Sequence, residues 1–226
     1  MYDLPSPSGR SRALLVAAGL AFAGVVGGLV SVLTVPALYD LVAAPESLVG
    51  RLLGRYVVQP GFGAVALLYV LTRADRTPYL RTGGFSAEAV GWLAVGVALE
   101  PVTRTLSEVA FGATHAGGTP KWALLLAEPT ALPAAVAVTF LVMAPAEELL
   151  YRGVVHGRLR GHFGPAGRVL TSATLFGLLH LVLSGGVPSF LVTGLSGLAL
   201  GTAYERTDDL AVPVCMHAGF WLLGPL

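Results

Sequence analysis

An all-α, polytopic transmembrane helical bundle of about seven to eight spans is the fold the sequence predicts, and three observations predict it. Hydrophobic residues make up 54% of the 226-residue chain and charged residues only 12%, against about 25% charged in an ordinary soluble domain. Mean hydropathy is +0.74. Apolar stretches of span length recur from end to end, and at ~20 residues per span the chain suits a single membrane domain over 1–226. The net charge of +1 and a lone Lys, Lys121, give no basic field for nucleic acid, so a nucleic-acid partner is excluded and membrane lipid is expected. Cys215 is the only cysteine, which rules out an intramolecular disulfide and reads as a small packing residue.

The spans follow in order. Arg10 and Arg12 precede an apolar run from Ala13 to Val35, too long for the ~7 to 15 residue core of a signal peptide, so it reads as a retained first span. Gly24 and Gly28 lie one turn apart in it, a spacing that lets a second helix approach closely. A connecting segment with Pro36, Asp40, Pro45, Glu46, Arg51 and Arg55 leads to a second span, Tyr56 to Thr72, broken at Pro60-Gly61. Ser86 and Glu88 open a third, running to about Val109. Its Glu100, Arg104 and Glu108 sit at i, i+4 and i+8, the spacing of a self-paired helix face. Residues from Gly112 to Pro129, His115 among them, read as a loop with a short interfacial helix at Trp122 to Ala127.

Four more spans are expected at Leu132 to Leu159, Ala166 to Leu183, Pro188 to Tyr204 and Leu210 to Leu223. With the N-terminus inside, the loops at Arg73 to Arg81, Arg158 to Arg168 and Arg206 all fall on the inner side, as the positive-inside rule requires. The expectation is therefore a cell-membrane protein with a cytoplasmic N-terminus. His115, His156 and His162 read as solvated or interfacial, and Trp92, Trp122 and Tyr204 as members of interfacial aromatic belts.

Three of the last helices carry groups that a lipid-facing helix could not tolerate: Glu147, Glu148 and Arg152 on one, His180 on the next but one turn from Phe176, and His217 on the last. A centrally placed Asp, Lys or Arg costs at least ~2.5 to 3.5 kcal/mol on insertion scales, and an ionised Glu should be comparable. Such groups must face one another or a wet cavity. Glu148 and Arg152 stand one turn apart and can pair, whereas Glu147 is rotated by about 100° onto another face. One carboxylate is neutralised and the other stays available as a general base. His180 and His217 can bind a metal, share a proton with the carboxylate, or donate to an oxyanion. The groups can meet if the helix bearing Glu147 continues to about Leu159 or is tilted.

The run Ala144-Pro145-Ala146-Glu147-Glu148-Leu149-Leu150-Tyr151-Arg152-Gly153 resembles the EExxxR motif of the CPBP family of intramembrane proteases, which contains the type II CAAX prenyl endopeptidases and bacteriocin self-immunity proteins. Phe176-Gly177-Leu178-Leu179-His180 resembles the family's FxxxH motif. A third block is similar too, with Gly194, Gly197 and Gly201, then Thr207, Leu210, Pro213 and His217. The three blocks make residues 130–226 a protease-motif core. The resemblance implies that Glu147 activates the attacking water, that His180 holds or shares it, that Glu148 and Arg152 support the site, and that His217 stabilises the oxyanion. It also implies a membrane-anchored or prenylated protein or peptide substrate. Glu148, His180 and His217 are candidate ligands of a catalytic Zn2+; a metal-free, glutamate-dependent route is equally compatible. Many members carry Asn four residues after the last His, where this chain has Trp221, and the chain has no Asn at all. Two other function classes fit the same residues: a non-catalytic membrane protein that binds a peptide or toxin as an immunity factor does, and an ion or proton carrier using the intramembrane carboxylates.

Overall fold

The structure, a computed structural model, describes residues 7–84, 86–112, 119 and 121–223, and the side chains within them except those of residues 100, 104, 107, 110, 184 and 185. Among the described residues every regular element is a helix. In chain order they are α1 (Pro7–Tyr39), α2 (Leu48–Gly54), α3 (Gln59–Leu71), α4 (Ala87–Phe111), α5 (Lys121–Ala127), α6 (Pro129–Leu159), α7 (Pro165–Leu183), α8 (Val187–Thr207) and α9 (Ala211–Leu223). The all-helical bundle expected from the sequence is what forms. The expected interfacial helix is α5. The reading of His115 falls outside the described residues, as do the side chains of Glu100 and Arg104.

Four helices, α1, α6, α7 and α8, are long and apolar enough to cross a membrane, whereas α3 and α9 are apolar but shorter. For α3 the short length has a local cause. Pro60 sits in the first turn of α3, where its missing N–H costs no helical bond, so the Pro-Gly pair starts the helix instead of interrupting a longer one. The 13 residues of α3 rise only ~20 Å, against ~30 Å of hydrocarbon. Upstream, the stretch read as a connection holds α2, whose N-cap Ser47 accepts a hydrogen bond from the Gly50 amide at 3.0 Å.

Helix α1 shows how the bundle is solvated. Its buried positions are Ala13, Ala17, Ala21, Gly24, Gly28, Ser31 and Val35, a seam of mainly small residues at helical spacing. Leu15, Phe22 and Leu33 point outward and are 74, 68 and 83% exposed. Large apolar side chains outside and small ones at the helix contacts are the arrangement of a helix packed against protein and bathed in lipid. The small seam lets α3 come close: a Cβ on Gly61 would lie 2.1 Å from the Gly27 carbonyl oxygen. Gly61→Ala is therefore expected to push α1 and α3 apart and destabilise the fold by about 1–3 kcal/mol. Gly19→Ala, which meets nothing within 4 Å, should be neutral. Thermal denaturation in detergent compares the two.

The second half is wound irregularly where it carries polar groups. Pro145 lies inside α6, and the backbone upstream widens to π-helix over Thr139–Met143. That widening accommodates a proline, which removes one N–H and crowds the carbonyl four residues earlier. A second π-helical stretch, Leu149–His156, follows the glutamates, and a third, Leu181–Gly185, follows His180. Wide turns of this kind recur at functional sites. Helix α6 does continue to Leu159, one of the two ways in which Glu147 can meet the histidines.

At one end of the bundle the three Arg-rich loops meet. Arg81 and Arg160 both pair with Asp208, the Leu210 amide donates to the Arg81 carbonyl at 2.9 Å, and the Gly84 amide donates to Asp209 at 3.0 Å. Two sequence readings are corrected close by. His156 is fully buried, not interfacial: it pairs with Glu205 and lies 3.3 Å from the Ser172 hydroxyl. Arg168 reaches the same Glu205 carboxylate at 2.7 Å. Tyr204 is buried too, edge-on to the His156 ring. A network linking α6, α7 and α8 gives the His156 ring and the Glu205 carboxylate their partners, so neither needs the water of an interface.

Candidate active site in the helix bundle

Glu147 and Glu148 occupy the short α-helical stretch Ala144–Glu148 between two π-helical ones. Adjacent residues on a helix point about 100° apart, and the two carboxylates accordingly find different partners. Glu148 is fully buried, 3.1 Å from Arg152 Nε through one oxygen, while the other accepts at 2.8 Å from His217 Nδ1. Arg152 is also fully buried, its guanidinium 4.8 Å from the centre of the Phe176 ring and one NH2 donating to the Gly197 carbonyl at 3.3 Å. The expected Glu148–Arg152 pair is present, and it reaches into a third helix through His217.

Glu147 has a different environment. One carboxylate oxygen accepts a hydrogen bond from Gln59 Nε2 at 2.8 Å. The other, Oε2, is buried with no hydrogen-bond partner among the described residues and stands 3.9 Å from His217 Nε2. Buried polar atoms are nearly always satisfied, so an orphaned carboxylate oxygen is a costly feature. A gap of 3.9 Å is too long for a direct hydrogen bond but lets one oxygen atom sit within hydrogen-bond reach of both groups.

His180 completes the set. Its Nδ1 donates to the Phe176 carbonyl at 3.0 Å, which leaves Nε2 as the acceptor of a neutral ring. The Phe176 ring lies between the two histidines, 4.7 Å from His180 and 5.9 Å from His217. Glu147, His180 and His217 line one cavity of about 290 Å³, and Glu147 and His180 also line an adjoining one of about 390 Å³. The carboxylate and imidazoles from three separate helices thus share a space large enough for water and part of a peptide.

Gln59 is the site residue that sequence reasoning missed. An uncharged amide beside a Pro-Gly pair carries no insertion penalty comparable with a charge, and nothing in its spacing ties it to α6. Trp221 lines the same cavity. Its ring packs on Tyr56 at 4.5 Å between centroids and lies beneath the Lys121 ammonium at 3.7 Å. The indole is held there by aromatic and cation–π contact.

The expected zinc ligands do not form a set. Among the described residues no three His, Cys, Asp or Glu side chains are arranged to hold a metal ion, and Glu148 has its two oxygens committed to His217 and Arg152. The residues present therefore do not fit a Glu148–His180–His217 metal centre.

Residues 129–223 match the family described as Type II CAAX prenyl endopeptidase Rce1-like. The match contains Glu147, Glu148, Arg152, His180 and His217, and it bears out the family resemblance of the three motif blocks. No curated protein and no solved structure matches the chain.

Proposed function

We propose that this chain, whose residues 129–223 match the Type II CAAX prenyl endopeptidase Rce1-like family, is an intramembrane endopeptidase that hydrolyses a peptide bond of a membrane-bound or lipidated substrate through a water activated by Glu147. The observation that carries the reading is the orphaned Oε2 of Glu147, buried at the cavity wall and 3.9 Å from His217 Nε2.

The groups supply the steps of amide hydrolysis in order. Glu147 takes one proton from water while His180 Nε2 accepts a hydrogen bond from the O–H that remains, and the hydroxide oxygen bonds to the scissile carbonyl carbon. The resulting oxyanion receives a hydrogen bond from a protonated His217 Nε2, the Nδ1–H of which is fixed on Glu148. Glu147 then passes its proton to the leaving nitrogen as the C–N bond breaks, which returns the carboxylate. A single proton on His217 balances the cluster, because Glu147 and Glu148 together face one guanidinium, and a neutral cluster costs least in a low-dielectric interior.

Gln59 orients the base in this scheme. Gln59→Leu keeps the approximate volume and removes the hydrogen bond to Glu147, and loss of one bond to a charged group, about 1.5–3 kcal/mol, is expected to lower kcat by roughly 10- to 100-fold. Steady-state kinetics on wild type and variant check it.

In this reading the protein lies in the cell membrane with its N-terminus cytoplasmic, an orientation supported by the three Arg-rich loops that share one end of the bundle. The direct test is hydrolysis of a quenched, membrane-anchored peptide by purified protein in liposomes, comparing wild type, Glu147→Ala and chelator-treated protein. Cleavage lost in the variant and retained in chelator is the expected result. Loss in chelator would assign a metal-dependent step, and no cleavage across a broad set of lipidated and unlipidated peptides would leave the cavity as a binding site.

A further inference from the structure

Arg55 follows α2 and precedes the Gln59 turn, outside the family-matched stretch. Its exposed side chain lines both cavities that contain Glu147 and His180. Its guanidinium has no hydrogen-bond or ion-pair partner among the described residues, unlike Arg51 beside it, which donates to the Glu46 carbonyl at 2.9 Å. Arg152 is buried against Glu148 and lines neither cavity. Among the described residues, Arg55 is therefore the permanent cation that lines the two spaces, and Glu147 is the carboxylate that lines both with it.

We propose that Arg55 is a substrate subsite that takes a carboxylate of the peptide, and so sets which way the peptide lies across Glu147. This rests on the peptidase reading of the cavity. A carboxylate entering the cavities meets opposite charges at two positions, attraction at Arg55 and repulsion at Glu147. The two together place the anionic end of a peptide at the Arg55 mouth and a neutral amide at the base. A guanidinium suits this role because its fixed fork of donors binds a carboxylate in two parallel hydrogen bonds. The carboxylate has two possible sources, the C-terminus of a short tail or an Asp or Glu side chain near the scissile bond.

Binding tests the subsite independently of turnover. A fluorescent, lipidated heptapeptide is titrated into full-length protein in dodecyl maltoside, which carries no phosphate. It is made with a free C-terminal acid or a C-terminal amide, and in each form with Asp or Asn at an internal position. Wild type is expected to bind the form carrying the recognised carboxylate at least about tenfold more tightly, a difference of ~1.4 kcal/mol. Arg55→Gln should bind all forms alike at the weaker level, and Arg55→Glu should prefer a peptide ending in a cationic amine. An acid-to-amide difference identifies the C-terminus, and an Asp-to-Asn difference the side chain. Equal affinities for all four peptides in wild type, or the same discrimination in Arg55→Gln, would overturn the subsite even if the peptides are cleaved. Discriminating binding without hydrolysis would retain the subsite and remove the peptidase, and absence of binding by any form would remove both.

Discussion

Glu147→Gln is expected to lower the rate of peptide hydrolysis by about 10²–10⁴-fold, the contribution of a positioned general base, while leaving the protein as stable as wild type or more so. The substitution is nearly isosteric, and the amide oxygen of the new residue still accepts from Gln59, which donates to Glu147 at 2.8 Å. What disappears is the charge and the ability to hold a proton. In wild type that charge is 4% exposed and one of its oxygens has no hydrogen-bond partner among the described residues, so the native state carries a desolvation penalty that the neutral amide reduces. Opposite signs for activity and stability mark a residue retained for chemistry. A packing role predicts the reverse, a loss of stability with a proportionate loss of rate. Initial rates in liposomes and unfolding in detergent, measured on one preparation, separate the two. A stable variant that cleaves at the wild-type rate would remove Glu147 from the mechanism.

The parts of this site that are legible in the sequence are those with a cost in lipid. Glu147, Glu148, Arg152, His180 and His217 stand out because ionisable groups in apolar spans must converge on something, and the structure brings their helices together as that argument demands. The pairing of Glu148 with Arg152 follows from four-residue spacing alone. Partners on other helices do not follow from spacing, and this is where the reading stops. Glu148 also holds His217, Gln59 holds Glu147, and His156 finds Glu205 on α8, each across a contact that only tertiary structure defines. His156 looked interfacial because Gly and Arg surround it in sequence, yet three helices enclose it. The π-helical turns on either side of the glutamates were equally hidden: Pro145 signals a disturbance in α6, but neighbouring helices decide whether it bends, breaks or widens. The extent of α3 is hidden for a related reason: Pro60 starts the helix, so the apolar stretch that reads as Tyr56 to Thr72 is α-helical over Gln59–Leu71.

Removing either half of the Glu148–Arg152 pair is expected to destabilise the protein by about 3–5 kcal/mol, the effect of leaving an uncompensated charge in an interior. Both side chains are fully buried and 3.1 Å apart, so water cannot take over when one partner is lost. Arg152→Met should orphan Glu148, and Glu148→Leu should orphan Arg152 and deprive His217 Nδ1 of its acceptor. The double variant Glu148→Leu/Arg152→Met should lose much less stability than the two singles combined, because it leaves no charge alone and fills the same space with apolar groups. The double-mutant cycle measures this coupling directly. Additive losses would show that the two residues do not act as a pair. Catalysis should not recover with stability, because His217 in the double variant has no carboxylate to fix its ring and tautomer. A protein that regains its fold but not its activity would place Glu148 in two jobs at once: neutralising Arg152 within α6, and aiming an imidazole on α9 at the space beside Glu147.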